Sequence, residues 1–207
     1  MAQLFVVHPD NPQPRLLKQA AALLHGGGVL AVPTDSSYAL VCHLDDKAAV
    51  DQLRRIRQVD ERHHLTLLCR DLSELASHAR VDNAQFRRLK AGTPGPFTFI
   101  LEASKEVPRR VSHPQRKTIG LRVPEHAVVS ALLAEIDGPL LTSTLILPGE
   151  DLPLSDPEEI RDRLGKLVEL VIEAGYCGPE ATTVIDLTSG APELVRAGRG
   201  PLEPFGL

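Results

Sequence analysis

Short apolar runs that alternate with amphipathic segments constrain the fold of this chain more than any other feature. Val29–Val32 and Leu65–Cys69 each have the length of one buried strand, and Asp45–Gln58 carries apolar residues at helical spacing. This alternation predicts an α/β fold, in which helices cover a sheet. The last strand candidates follow one another without helices, so we expect a mixed sheet in a single domain spanning residues 1–207.

Nine strands and six helices are predicted from these patterns. The expected strands are Leu4–Val7, Val29–Val32, Leu65–Cys69, Thr98–Leu101, Thr118–Val123, Leu140–Thr144, Leu167–Ile172, Thr183–Leu187 and Leu194–Arg196. The expected helices are a first one that opens at Asn11-Pro12 and ends at the glycines 26–28, then Asp45–Gln58, Asp71–Ala79, Asp82–Ala91, Glu125–Ile136 and one that starts at Ser155.

Composition excludes several classes of protein. Hydrophobic residues make up 43% of the 207 residues and charged residues 24%, which excludes disordered, collagen-like and coiled-coil chains. No apolar run approaches the ~18 residues that cross a bilayer, and the N-terminus lacks the basic start of a signal peptide. The three cysteines are odd in number and far apart, so a reducing cytoplasm is the expected location. Aromatic residues total 3%, which disfavours a surface that stacks bases on aromatic rings.

The net charge of −4 is unevenly distributed along the chain. From Arg54 to Arg122 there are 15 basic and 7 acidic residues, whereas from Glu150 to Glu180 there are 3 basic and 9 acidic. Such asymmetry is typical of a positive face that meets an anionic partner, and equally of amphipathic helices with solvated polar faces.

The common phosphate and metal motifs are absent from the sequence. There is no GxxxxGK[ST], no HExxH and no GxSxG, and Gly26–Gly28 neither follows a strand nor extends to GxGxxG. His63 and His64 are adjacent, so their side chains point in different directions on any regular element. We therefore predict no metal site formed by protein side chains.

Hydroxyl side chains gather where predicted strands begin or end. Thr34 follows one strand, Ser143 lies at the end of another, and Thr182 immediately precedes a third. Such hydroxyls can bind a small polar ligand at the edge of an open α/β sheet. The alternative for Thr34 is a polar turn whose side chains bond their own backbone.

Arginines extend this pattern. Arg55 and Arg57 end the second predicted helix, where side chains two residues apart diverge by about 200° unless the helix frays. Arg122 shares a strand face with Gly120 by period two, and Arg196 ends the last predicted strand. Guanidinium groups bind phosphate and carboxylate bidentately, although these arginines can also complement a helix dipole or face solvent.

Taken in order, these segments resemble the YrdC/YciO family, which includes the threonylcarbamoyl-AMP synthases. From about Gly27 to Gly198 the resemblance is carried by GGxxxxPTDS, a [KR]xR pair, PGPxTxIL, TxGxRVP, a TS strand end, TTVxD and RxG. The segments HPDNPQ and TSTLILPG look closest to the YciO branch.

The resemblance implies a YrdC-like domain with a twisted, largely open mixed sheet and a positively charged concave cleft. For the synthases it implies that ATP, L-threonine and bicarbonate give L-threonylcarbamoyladenylate and pyrophosphate, with Mg²⁺ bridging the phosphates of ATP. A partner machinery then transfers the threonylcarbamoyl group to adenosine 37 of certain tRNAs. The family is also associated with binding double-stranded RNA and tRNA.

The resemblance also assigns roles to residues of this chain. Arg55 and Arg57 are expected to be catalytic. The expected nucleotide contacts are Arg55, Arg57, Arg122, Ser143 and Arg196, and the expected contacts to threonine or its carbamate are Thr34, Arg122 and Thr182.

Two positions depart from the KxR…SxN pattern of the synthase branch. Arg55 stands in place of Lys, which keeps the charge but changes its geometry, and Leu145 stands in place of Asn. If that amide contacts the nucleotide, its loss costs about 1–3 kcal/mol. Two hypotheses follow: a synthase-like enzyme with weak or altered activity, or a non-catalytic RNA-binding protein that uses the same cleft. A different nucleotide or acyl-phosphate reaction is a third.

Overall fold

The computed structural model describes residues 1–207, which form ten strands and six α-helices. The strands are β1 (Gln3–Val6), β2 (Leu30–Val32), β3 (Ala39–His43), β4 (Thr66–Leu68), β5 (Phe97–Glu102), β6 (Thr118–Arg122), β7 (Leu140–Thr144), β8 (Leu170–Glu173), β9 (Thr183–Asp186) and β10 (Glu193–Arg196). The helices are α1 (Pro14–His25), α2 (Lys47–Arg57), α3 (Leu72–Ser77), α4 (Asn83–Gly92), α5 (Ala127–Ala134) and α6 (Pro157–Leu164). None of the helices combines the length and apolar character needed to span a membrane.

All ten strands belong to one sheet, in the order β1-β8-β2-β3-β7-β4-β6-β5-β9-β10. The pairs β1–β8, β2–β8, β4–β6 and β5–β9 are parallel, and the remaining five pairs are antiparallel. The predicted α/β fold with a mixed sheet is therefore confirmed.

Helices cover both faces of the sheet around its β2 strand. Leu30 and Val32 pack in an apolar cluster with α1 and α5, whereas Ala31 between them packs in a second cluster with α2 and α6. Because side chains alternate across a strand, this requires an apolar residue at every position, and β2 is buried throughout. Burying each such leucine stabilises the fold by about 1.5–3 kcal/mol.

Over β5 the two faces differ in character. Phe97, Phe99 and Leu101 join the apolar cluster that contains residues of α3 and α4. The intervening Thr98 and Ile100 belong to neither apolar cluster and instead line a cleft. The alternation along β5 thus places the cleft on the face of the sheet that helices leave uncovered.

Two predictions about individual elements were wrong. The first helix begins at Pro14 rather than at Asn11-Pro12, because Gln13 before the proline is extended (φ −71°, ψ 118°) and Pro14 occupies the first helical turn. Strand β3 was missed altogether, although its sequence ALVCH is a short, nearly continuous apolar run between β2 and β7.

Candidate functional site

A cleft of about 440 Å³ opens over the uncovered face of the sheet, a size typical of small-molecule sites. Its walls carry basic, hydroxyl and aliphatic side chains and no carboxylate. They are Arg57, Arg62, His63, His64, Thr66, Thr98, Ile100, Gly120, Ser143, Thr144, Thr182, Val184, Val195 and Arg196. Gly120 lies in the floor, where an added Cβ would come within 2.6 Å of Thr66 Oγ1, so this strand can approach β4 only without a side chain.

A small inner chamber of about 20 Å³ adjoins the cleft, enough for roughly one water molecule. Seven of its nine lining residues carry hydroxyls. The nine are Ser37, Ala39, Thr66, Thr98, Arg122, Thr142, Ser143, Thr144 and Thr182. Five of these also line the cleft, so the two spaces share walls. The chamber holds one cation, Arg122, among hydroxyl groups.

Arg57 reaches the cleft from the last position of α2. The Asp46 side chain caps the start of this helix by accepting from the Ala49 N–H at 2.9 Å, and Gln58 ends it with a left-handed backbone (φ 50°). Arg57 Nε donates to Ser143 Oγ at 3.1 Å. Burial, and then the nearby charge of Arg196, lower the pKa of Arg57 to about 10, so the guanidinium remains charged at neutral pH.

Arg196 is held at the opposite wall by Thr182. Its Nε and Nη2 donate to the Thr182 carbonyl at 3.2 and 2.9 Å, and Nη2 also reaches Thr182 Oγ1 at 3.2 Å. Thr182 is buried, and its hydroxyl lies 2.9 Å from that of Thr98 on β5. Since neither Arg57 nor Arg196 has a carboxylate partner, both charges are available to an anionic ligand.

Arg122 lies behind the cleft, in a buried ion pair. Its Nη2 donates to a carboxylate oxygen of Asp35, to Ser36 Oγ at 3.0 Å and to Thr34 Oγ1 at 3.2 Å. Burial lowers the pKa of Arg122, and the charge of Asp35 opposes that change. The alternative of a solvent-facing Arg122 is thus excluded, because the side chain is only 6% exposed.

Thr34 occupies the polar turn that was the alternative to a ligand contact. Its hydroxyl donates to the Ser37 carbonyl at 2.7 Å and accepts from the backbone N–H groups of Ser36 and Ser37 at 3.2 and 3.3 Å. It lines neither the cleft nor the inner chamber. Thr34 therefore contacts the site indirectly, through Arg122 and through Ser37, which lines the chamber.

Arg55 is not brought to the cleft. Helix α2 stays regular through Arg57, so Arg55 points away from it, is exposed to solvent and donates to Gln52 Oε1. The predicted pairing of Arg55 with Arg57 in one site required a frayed helix end, and the structure has none there. Of the predicted site residues, Arg57, Ser143, Thr182 and Arg196 line the cleft, and Arg122 lines the inner chamber.

Leu145 also points away from the cleft. It is 0% exposed and belongs to the same apolar cluster as Leu147 and Leu154. The position that departs from the synthase pattern is therefore part of the core in this chain.

Leu145→Asn is consequently expected to destabilise the fold by about 2–4 kcal/mol, since it removes apolar burial and leaves an amide without partners. It should not increase turnover. Urea denaturation measures the first effect, and Leu152→Asn, at a leucine that is 63% exposed, is the matched control. A gain in turnover at unchanged stability would contradict this placement.

The sequence patterns missed the wall formed by Arg62, His63 and His64. His64 Nε2 lies 2.8 Å from Thr118 Oγ1, and its ring contacts that of His113 with 4.9 Å between centroids. Burial, and then the charge of Arg57, lower the pKa of His63 to about 4, so its imidazole is neutral at pH 7. Arg62, His63 and His64 lie in the loop between α2 and β4, and β4 supplies Thr66 to the same cleft. This position in the chain was the only signal in the sequence that could have placed them in the site.

Comparison with known proteins gives consistent results. The family model Sua5_yciO_yrdC, described as Telomere recombination, matches residues 22–198. Uncharacterized protein YciO of Escherichia coli (strain K12) is 52% identical over 205 residues, covering 99% of this chain and 100% of that protein. The crystal structure of E. coli YciO superposes with a TM-score of 0.96, again over 99% of this chain and 100% of that one.

More distant relatives include a threonylcarbamoyl-AMP synthase and a Sua5 protein. Threonylcarbamoyl-AMP synthase of Halorhodospira halophila is 33% identical over 185 residues, covering 88% of this chain and 96% of that protein. The crystal structure of P. abyssi Sua5 complexed with L-threonine superposes with a TM-score of 0.88 at 24% identity, over 97% of this chain and 58% of that one. At this identity the Sua5 structure supports the fold.

Proposed function

Because the chain belongs to the Sua5/YciO/YrdC family, we propose that it is an enzyme of the threonylcarbamoyl-AMP synthase type. It joins ATP, L-threonine and bicarbonate to form L-threonylcarbamoyladenylate and pyrophosphate. The observation that carries the proposal is a cleft in which Arg57 and Arg196 have no carboxylate partner, beside a chamber that holds Arg122. All three substrates carry phosphate, carboxylate or bicarbonate charge that these guanidinium groups can neutralise.

The reaction needs positioning and charge neutralisation rather than a protein nucleophile. The neutral amine of threonine and bicarbonate give a carbamate and water. A carbamate oxygen then attacks the α-phosphorus of ATP, the new P–O bond forms, and the bond to the departing pyrophosphate breaks. Holding the reactants together and stabilising charge on the phosphorus centre are the tasks that a rigid cationic cleft performs.

The residues divide these tasks by their place in the site. Arg57, oriented by Ser143, and Arg196, oriented by Thr182, face the phosphates in the cleft. Arg122 and the hydroxyl of Thr182 at the inner chamber receive one oxygen of the carboxylate or carbamate of threonine. Arg55 has no role in this proposal because it lies outside the cleft. The cleft lining offers no carboxylate, so a Mg²⁺ ion that accompanies ATP would be held by the nucleotide rather than by protein side chains, and would neutralise part of the phosphate charge.

The proposal is tested by measuring pyrophosphate release from MgATP while each substrate is omitted in turn. We expect release only when both L-threonine and bicarbonate are present, because the attacking oxygen belongs to their joint product. Serine in place of threonine tests the fit of the amino-acid methyl group. Release that is independent of threonine would assign the cleft to another nucleotide reaction.

A second candidate function, RNA binding, is favoured by a groove outside the cleft. This groove of about 580 Å³ is lined by Arg80, Lys105, Arg109, His113 and Lys117, of which Arg80 and Lys105 pair with Glu102 and Glu106 and the others have no carboxylate partner. Binding of tRNA or double-stranded RNA along it should weaken with salt, with a log–log slope of about −0.7 to −0.9 per neutralised phosphate. A flat salt dependence would exclude this function for the groove.

A further inference from the structure

The carboxylate of Asp35 connects its own turn to β6 and to the segment before α5. One oxygen accepts from Arg122, and the other accepts from the Glu125 backbone N–H at 2.9 Å, just before α5. The Asp35 side chain is 10% exposed and lines neither the cleft nor the inner chamber. Asp35 can therefore act on a ligand only indirectly, through Arg122 or through the turn that carries Ser37 to the chamber.

Arg122 is restrained on one side only. All three hydrogen bonds from the turn formed by Thr34, Asp35 and Ser36 converge on its Nη2. Its Nε is buried without any hydrogen-bond partner, although Arg122 lines the chamber. Nη1 likewise has no hydrogen-bond partner but is not fully enclosed, so it is the part of the guanidinium that an anionic ligand atom in the chamber can reach.

We propose that Asp35 is a positioning residue, which holds Arg122 so that its unpaired Nη1 meets a carboxylate or carbamate oxygen of the substrate at the inner chamber. Thr34 and Ser36 belong to the same clamp on Arg122. The identity of the ligand rests on the proposed function, whereas the clamp itself does not. Asp35 thus sets the affinity for the amino-acid substrate while leaving the nucleotide contacts of the cleft in place.

The clamp is tested first in the free protein. In ¹⁵N NMR spectra of the full chain, assigned with Arg122→Lys, the Arg122 Nε–Hε signal should be sharp and slow to exchange with solvent, since the group is buried. Asp35→Asn, which keeps the shape and removes the charge, should shift the signal and speed its exchange. Glu150→Gln is the matched control, because Glu150 accepts from Arg163 at 2.8 Å in an exposed pair.

The second measurement is calorimetric titration with L-threonine in the presence of MgATP. Asp35→Asn should weaken threonine binding about ten- to hundredfold, the range expected for a charge-assisted hydrogen bond, with ATP affinity unchanged. Glu150→Gln should leave both affinities unchanged. If Asp35→Asn does not fold, Thr34→Val serves instead, because it removes one of the three acceptors. It should change the Arg122 signal and the threonine affinity in the same direction, but by less.

An Arg122 signal that is unchanged in Asp35→Asn overturns the inference, whatever the ligand data show. Equal losses of threonine and ATP affinity also overturn it, because they indicate general damage. If the wild-type protein binds no threonine, the proposed function fails instead. In that case a perturbed signal in the free variant still supports the clamp, and formate serves as the carboxylate probe.

Discussion

Arg57→Ala is expected to lower threonine- and bicarbonate-dependent pyrophosphate release by about a hundred- to a thousandfold, the size seen when one donor to a developing oxyanion is removed. The loss arises because Arg57 is one of three arginines, with Arg62 and Arg196, that line the cleft without a carboxylate partner. Its only hydrogen bond goes to the Ser143 hydroxyl, so truncation leaves no charge unpaired in the protein. Steady-state kcat/KM measures the effect, and thermal denaturation should show a nearly unchanged Tm.

Arg55→Ala is the matched control for this experiment. Arg55 lies two residues away on the same helix but points into solvent, where it donates to Gln52. Its removal should leave kcat/KM within about twofold of the wild type, as expected of a surface substitution away from the site. Equal losses in the two variants would show that net charge, rather than the position of Arg57, governs the reaction.

Arg122→Met is expected to cost about 3–5 kcal/mol in the free energy of unfolding, because it strands the Asp35 carboxylate without its partner. Both side chains are almost fully buried, at 6% and 10% exposure. Urea denaturation measures the loss. Arg163→Met, which breaks an exposed pair with Glu150, should cost only about 0–1 kcal/mol.

A double variant separates the charge effect from packing. Arg122→Met combined with Asp35→Leu removes both partners, so much of the stability lost in the single variant should return. Recovery of stability without recovery of threonine binding would agree with a role for Arg122 in the site. If Arg122→Met unfolds no more easily than Arg163→Met, the buried pair does not contribute as described.

The sequence predicts those features that depend on local periodicity. The alternation of strands and helices gives the α/β class, and period two along β6 correctly places Arg122 and Gly120 on one face, at the chamber and the cleft respectively. Strand β3 was missed although its apolar run ALVCH is the same kind of signal that predicted the buried strands at Val29–Val32 and Leu65–Cys69.

Side-chain direction at element ends is what the sequence could not supply. Whether Arg55 joins Arg57 depends on one helical turn, and whether Leu145 faces the cleft depends on the path of the chain just after β7. The pair of Asp35 with Arg122 spans 87 positions, and no local pattern predicts a contact at that distance. Likewise, His63 and His64 enter the site through tertiary packing of a loop rather than through a recognisable motif.

If this cleft joins threonine, bicarbonate and ATP, the carbon of bicarbonate must appear in the product. The most direct test supplies [¹³C]bicarbonate with L-threonine and MgATP and follows the label by ¹³C and ³¹P NMR and mass spectrometry. We expect a threonylcarbamoyl adenylate whose carbamoyl carbon carries the label, formed in equal amount to pyrophosphate and about a hundred- to a thousandfold more slowly in Arg57→Ala. AMP and pyrophosphate that appear without any labelled adenylate, or no turnover by a folded protein that binds neither ATP nor threonine, would contradict the proposed function.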